Sequence, residues 1–215
     1  MIVTIPTCGE SPYLGRLLES CATAGVPAIV VINNTNAEQY QSLVATANDH
    51  MAQSVDLGND INLYAAWNKC IDLTSRDGVG AILNDDIYVH PDSFARIEKS
   101  VRTTEGVVGW DAWGPVSENP SSHLRRVNGT YRTHGLAGFA FAFPTTTAPR
   151  FDEKYTWWYG DDDWVARCGR SGLPLYVESL CGVHHHTSTT QQARPWVTEN
   201  VGQDKELFES TWGIG

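Results

Sequence analysis

Three groups of side chains in this sequence have the types and spacing to do chemistry. The first is Asn84-Asp85-Asp86, set where the apolar run Ala81-Ile82-Leu83 stops and before a second run, Ile87-Tyr88-Val89, resumes. A short apolar run bounded by turn residues reads as a buried strand, so these acids fall at a strand end. Open α/β folds bind their ligands at that rim. Two adjacent carboxylates repel unless something positive joins them, and oxygen ligands of this kind suit Mg²⁺ or Mn²⁺, with a diphosphate on the ion's other side. The second group, Asp161-Asp162-Asp163, directly follows the aromatic stretch Trp157-Trp158-Tyr159. Acids at a helix start are favoured by the helix dipole, yet one or two would serve that purpose and three leave a large local repulsion. The third is His184-His185-His186. On alternating sides of a strand all three cannot face one metal, although one or two could. Trp157 and Trp158 could serve as a stacking platform, since a sugar ring has an apolar face that stacks on an indole; burial in the core is the alternative.

Composition narrows the partners. The 215 residues suit one domain with a substantial core, and 41% hydrophobic with 19% charged residues is a globular balance. A formal net charge of −10 argues against a nucleic-acid partner. Five scattered cysteines without a C-x-x-C pair argue against a disulfide framework or a zinc site. No basic-then-apolar leader precedes Ile2 and no run approaches the ~20 apolar residues of a membrane span, so the cytoplasm is the expected compartment.

The elements that must position these groups follow in order. Residues 1–6 read as a strand, and Ser11 as the cap of a helix whose apolar face is Leu14, Leu17, Leu18 and Cys21, stopped by Gly25. Residues 27–32 form a second strand that ends in the uncharged turn Asn33-Asn34-Thr35-Asn36. A helix from Ala37, a short strand at 53–55, a helix over 62–73, the acid-bearing strand and a helix over 91–102 complete four alternations of strand and helix. That rhythm predicts an α/β fold with a mostly parallel sheet. Beyond Thr104 the expectation is strand and loop over 106–120, and a strand over 135–143 whose small residues let a ligand come close. A helix then runs from the acid triplet to near Gly172, and a strand covers 175–178. Residues 1–190 read as one domain, and 191–215 as a tail of uncertain structure with anchors at Trp196, Leu207, Phe208 and Trp212.

The order of these motifs resembles a family 2 glycosyltransferase of the GT-A fold. The resemblance is carried by Thr4-Ile5-Pro6-Thr7, the strand ending Ile32-Asn33-Asn34, a helix with Asn62 and Trp67-Asn68-Lys69-Cys70, and Asn84-Asp85-Asp86. It continues through Phe151-Asp152-Glu153, the acid triplet with Arg167 and Gly172, and the terminal histidines. It implies a Rossmann-like sandwich with a nucleotide-sugar donor (UDP-, GDP- or dTDP-linked) across the carboxyl ends of the first strands. Donor contacts would come from Pro6, Thr7, Asn33, Asn34, Asn62, Asn84 and Asp85. The metal, Mn²⁺ or Mg²⁺, would be held by Asp86, with His184 as the matching histidine and His186 as second choice. Asp161 best matches the general base, with Asp162 as the alternative by a one-residue slip, and Asp163 would turn toward Arg167. Three positions depart from the family's acids: Asn33 or Asn34 after the second strand, Asn84, and Gly160 at the usual Glu.

Two acid clusters about 75 residues apart on one rim suit sugar transfer, which needs a neutralised diphosphate and a base facing the acceptor hydroxyl. The expected activity is an inverting, metal-dependent transfer of a hexose to a glycan, lipid or protein hydroxyl. A member of the same fold that only binds nucleotide or glycan is the alternative, and a two-metal nuclease or phosphatase a more distant one.

Overall fold

A computed structural model describes residues 1–59, 61–74, 78–112, 124–127, 136–186 and 196–213. In chain order it contains β1 (Ile2–Thr7), α1 (Leu14–Thr23), β2 (Ala28–Ile32), α2 (Ala37–Asp49), β3 (Gln53–Asp56) and α3 (Leu63–Thr74). There follow β4 (Val79–Leu83), β5 (Ile87–Val89), α4 (Asp92–Thr104), β6 (Val107–Asp111), β7 (Leu124–Val127) and β8 (Ala140–Pro144). The last elements are α5 (Gly160–Arg170), β9 (Leu175–His185), α6 (Trp196–Glu199) and α7 (Val201–Trp212).

The strands form one sheet in the order β3-β2-β1-β4-β8-β6-β9-β5, with β7 paired to β9. β1 to β4 are mutually parallel, and β6 and β9 run their way, while β5, β7 and β8 run against them. The order reverses between β1 and β4, and the carboxyl ends of those two strands carry Thr7 and Asn84. This is the switch point at which such sheets leave a crevice.

Period-2 alternation along the central strands feeds two cores, one on each face. Val3, Ile5, Val30, Ile32, Ala81 and Leu83 pack with Leu17, Leu43 and Phe94 of α1, α2 and α4. Ile29, Val31 and Ile82 pack on the other face with Tyr64, Trp67, Trp164 and Phe208 of α3, α5 and α7. Trp67, Trp110 and Trp164 are therefore core residues, and the sequence's aromatic richness largely serves packing.

Four elements depart from the sequence expectation. Ser11 does not cap α1, which starts at Leu14; its hydroxyl accepts from Tyr13 N (3.2 Å) and donates to Asp85 O (2.9 Å), tying the helix start to the acid-bearing turn. β9 runs on to His185, because its register shifts where it passes Trp110 and Asp111, and its last residues pair with β5. The strand expected over 135–143 is confined to β8, Gly135 lying outside the described residues, as do 113–120 of the expected 106–120 stretch. Residues 196–213 of the unassigned tail form α6 and α7 and pack onto the domain.

Candidate active site

The chain leaves the sheet after Leu83, and the turn Asn84-Asp85-Asp86 lies between β4 and β5. Asp85 is buried and accepts a short hydrogen bond from Thr7 Oγ1 (2.5 Å) at the end of β1. Burial pushes its carboxyl up to about 7, opposed by the Thr7 hydroxyl and aided by the charge of Asp86. Asn84 N donates to Phe139 O (2.9 Å). Asp86 is also buried; its Oδ1 lies 3.1 Å from His185 Nε2, and His186 N donates to Asp86 O (2.8 Å).

The structure thus brings His185, not His184, to Asp86. The reason is strand alternation: His184 stands opposite Tyr88 and His185 opposite Ile87, so their side chains take opposite faces. His184 is exposed. His186 stacks on Tyr13 (ring centroids 3.7 Å), and burial with the neighbouring His184 and Arg16 charges holds its imidazole below the ordinary range. Phe139 stacks on His185 at 4.0 Å.

A divalent cation fits this donor set, a carboxylate and an imidazole nitrogen in contact at a strand end. Among the described residues no group of three His, Cys, Asp or Glu gathers for a metal, so two protein ligands would leave the rest of the shell to phosphate and water.

The second acid group lies at the start of α5. Tyr159 adopts a left-handed backbone (φ 62) and turns the chain into the helix, with Asp161 in its first turn. Asp161 is half-buried, its carboxyl wedged against Gly138: a Cβ on that glycine would lie 2.0 Å from Asp161 Oδ2. Burial lifts the Asp161 carboxyl above its ordinary range, opposed by main-chain N–H groups of Asp162 and its own residue. Asp163 is fully buried and accepts from Arg167 Nε (2.5 Å) and Trp212 Nε1 (2.9 Å). Arg167 also holds Asp152 (2.8 Å), and the charges of Asp163 and Asp152 raise its guanidinium. Asp162 is half-buried, on a face about 100° from either neighbour.

Gly160 occupies the position where the family resemblance calls for Glu. A Cβ there would lie 2.2 Å from Tyr64 Cζ. The Tyr64 hydroxyl donates to Trp157 O (2.7 Å) and accepts from Gly160 N (3.0 Å). Burial and the nearby Asp161 charge hold that phenol well above its ordinary range, so it stays a donor. The glycine is what lets a buried tyrosine reach the loop that leads to Asp161.

Other residues named from the sequence make the following contacts. Asn34 (φ 54) exchanges hydrogen bonds with the main chain of Ile61 (2.7 and 3.1 Å). Asn62 donates to Tyr155 O (2.7 Å) and accepts from Tyr64 N (2.7 Å), joining α3 to the aromatic stretch. Asn33 is buried, with its N–H on Thr7 O (3.0 Å), and Pro6 pairs with Val31 in the sheet. Trp157 and Trp158 are half-buried, the indole N–H of Trp158 donating to Val197 O (2.8 Å). Sequence reasoning gave no individual site role to Tyr64, Gly138, His185, Asp204 or Trp212. Three carried a partial signal: His185 in its triplet, Gly138 in the small-residue stretch over 135–143, and Trp212 as a tail anchor.

A Rossmann-like sheet with an acid turn at the β1–β4 switch point and a second acid group facing the same rim is the arrangement of GT-A transferases. The chain belongs to glycosyl transferase family 2, whose family model matches residues 2–151. Asp161, α5, β9 and α7 lie beyond that match. No curated protein matches the chain. Among solved structures, glucosyl-3-phosphoglycerate synthase from Mycobacterium tuberculosis, with Mn²⁺, UDP-glucose and phosphoglyceric acid, superposes with a TM-score of 0.67 at 13% identity, covering 100% of this chain and 80% of that one. GalNAc-T7 with UDP, GalNAc and Mn²⁺ gives 0.66 at 13% identity, over 97% of this chain and 49% of that one. TarS of S. aureus gives 0.62 at 12% identity, over 93% and 39%. The chain therefore spans less than half of the TarS and GalNAc-T7 chains. The fold is GT-A. Among the described residues no helix is long and apolar enough to cross a membrane.

Proposed function

We propose that this protein is an inverting, metal-dependent glycosyltransferase that moves a hexose from a nucleotide-diphosphate sugar to an acceptor hydroxyl. One observation carries the reading. The segment from Ala137 to Phe139 touches both acid centres: Phe139 O accepts from Asn84 N, its ring covers His185, and Gly138 lies against the Asp161 carboxyl. The proposed diphosphate end and base end thus share one wall.

In this reading Pro6, Thr7, Asn33, Asn84 and Asp85 line the donor, while Asn34 and Asn62 act on it through the loops they shape. Asp86 and His185 would hold Mg²⁺ or Mn²⁺, which supplies positive charge to the departing diphosphate. Asp161 takes the proton of the acceptor hydroxyl as its oxygen bonds to the anomeric carbon and the bond to the phosphate oxygen breaks. One in-line displacement inverts that carbon. Trp157 and Trp158 stack on the acceptor. Gly160 does not argue for a member that only binds, since Tyr64 fills the place of the missing acid. UDP-hexoses are the first donors to try, since two of the three structures above were solved with UDP or UDP-glucose.

The test is incubation with UDP-, GDP- and dTDP-sugars and Mn²⁺, reading nucleoside diphosphate release. Slow release from one donor, abolished by Asp86→Ala with the fold intact, is expected. Binding without release would instead assign the chain to a non-catalytic role.

A further inference from the structure

The C-terminal helix presents one face to the segment that carries Asp161. Asp204, Phe208 and Trp212 are spaced four apart, so they share a side of α7. Each meets a different part of the segment from Thr156 to Asp163. Asp204 is 2% exposed, and its carboxylate accepts from three successive main-chain N–H groups: Thr156 (2.9 Å), Trp157 (2.9 Å) and Trp158 (2.8 Å). The ring of Phe208 lies 5.5 Å from that of Tyr159. The indole N–H of Trp212 donates to Asp163 Oδ1 (2.9 Å).

Between these anchors the backbone is strained. Tyr159 sits in the left-handed region (φ 62), which is unfavourable for a bulky L-residue. Such a conformation persists only where the surroundings over-determine it. Upstream, three charge-assisted hydrogen bonds to Asp204 fix the turn, each stronger than a neutral one. Downstream, Trp212 fixes the first turn of α5. The Tyr64 hydroxyl bridges the two from the opposite side, through Trp157 O and Gly160 N. Asp161 lies within this braced span, two residues after the strained one.

We propose that α7 is the positioning element for the base, with Asp204 as its principal residue and Trp212 as its second. Asp204 acts through Asp161 and touches no reacting atom. The inference rests on the reading of Asp161 as base. Releasing the turn lets Tyr159 relax and moves the carboxylate relative to the acceptor, while the donor rim on β1 and β4 stays as it was. Misplacement of a catalytic group by about 1 Å costs on the order of 10²-fold in rate.

The experiment is Asp204→Asn, which keeps the volume but turns an NH₂ toward donors that need an acceptor. With the donor that the wild-type protein turns over, kcat falls roughly 10²-fold and donor KM stays within about twofold, the split expected for a group acting only on the chemical step. In an Asp161→Asn background the same change costs nothing further, because the group it positions is gone. Independently of turnover, amides of residues 156–158 exchange at least about tenfold faster while those of β1, β2 and β4 are unchanged. If Asp204→Asn does not fold, Trp212→Phe is read the same way, with smaller effects around Asp163. Wild-type kcat, an equal loss in both backgrounds, or unchanged exchange over 156–158 overturns the proposal. A wild-type protein that releases nucleotide from no donor removes the transferase reading, and the exchange result alone then decides whether α7 braces the segment.

Discussion

Gly160→Ala tests whether the missing acid is a packing exchange with Tyr64. The new Cβ would stand 2.2, 2.4 and 2.6 Å from three ring carbons of Tyr64, where carbon contacts settle at about 3.5–4.0 Å. The ring would have to retreat by more than ~1 Å from such contacts. It is 1% exposed and enclosed by Trp67, Phe151 and Tyr155, with ring centroids 5.7, 5.9 and 6.2 Å away. Overpacking of this kind costs about 1–3 kcal/mol, and displacing the hydroxyl forfeits two buried hydrogen bonds at about 1 kcal/mol each. Alanine's helix propensity returns up to ~1 kcal/mol, which leaves a net loss of about 2–4 kcal/mol. For a chain of this length that lowers the melting temperature by roughly 6–12 °C. The assay is urea unfolding at constant slope, in wild-type and Tyr64→Ala backgrounds. Without the ring the clash is absent, so the two changes couple by about 2 kcal/mol. Gly160→Ala as stable as wild type, or equally costly in both backgrounds, would refute the reasoning.

Gly138→Ala drives a methyl into the Asp161 carboxyl, so donor turnover falls at least about 10²-fold with little loss in melting temperature; normal turnover would detach Gly138 from the site. Asp161→Asn lowers transfer by roughly 10²–10⁴-fold with donor still bound, whereas Asp163→Asn costs mainly stability; a loss confined to Asp162→Asn would shift the base by one residue. Because burial raises the Asp161 carboxyl in the fold, its contribution to stability is present below the unfolded value of ~3.9 and is lost as pH rises through the folded one. Asp161→Asn therefore gains stability over wild type toward neutral pH, and the acidic limb of wild-type turnover lies above the usual carboxylate range. His185→Ala weakens Mn²⁺-dependent turnover on the order of tenfold or more and His184→Ala does not; the reverse pattern would return the metal to His184.

The sequence was most legible where side chains alternate or repeat locally. Val3 and Ile5 fall in one core and Ile29 and Val31 in the other because neighbouring positions in a strand face opposite ways. Leu14, Leu17, Leu18 and Cys21 are buried, as their helical spacing requires. Asp163 pairs with Arg167 one helical turn on. What escaped depends on contacts between distant parts of the chain. The choice of His185 over His184 follows from the register of β9 against β5, set beyond a shift that no local pattern announces. Gly160 reads as a lost acid until Tyr64, 96 residues earlier, is seen against it. Asp204 lies 46 to 48 residues from the N–H groups it accepts from, and an acid in a polar tail reads as solvated.

These two kinds of legibility divide the site itself. The proposed donor half is built from strand ends of successive α/β units, each ordered by its own hydrophobic pattern, and apart from His185 it falls inside the family match. The half that carries Asp161 depends on Tyr64 from α3, Asp204 and Trp212 from α7, and Gly138 before β8, and all but Tyr64 and Gly138 lie past residue 151. Under the proposed mechanism a change at Asp204 of α7 should therefore alter transfer more than donor affinity, because its carboxylate holds the aromatic turn that leads to Asp161. Conversely, the Ala137–Phe139 segment cannot change without reaching both halves, since Gly138 abuts Asp161 while Phe139 holds Asn84 and covers His185. A substitution there should couple donor binding to transfer, whereas one on the far side of α7 should leave both alone.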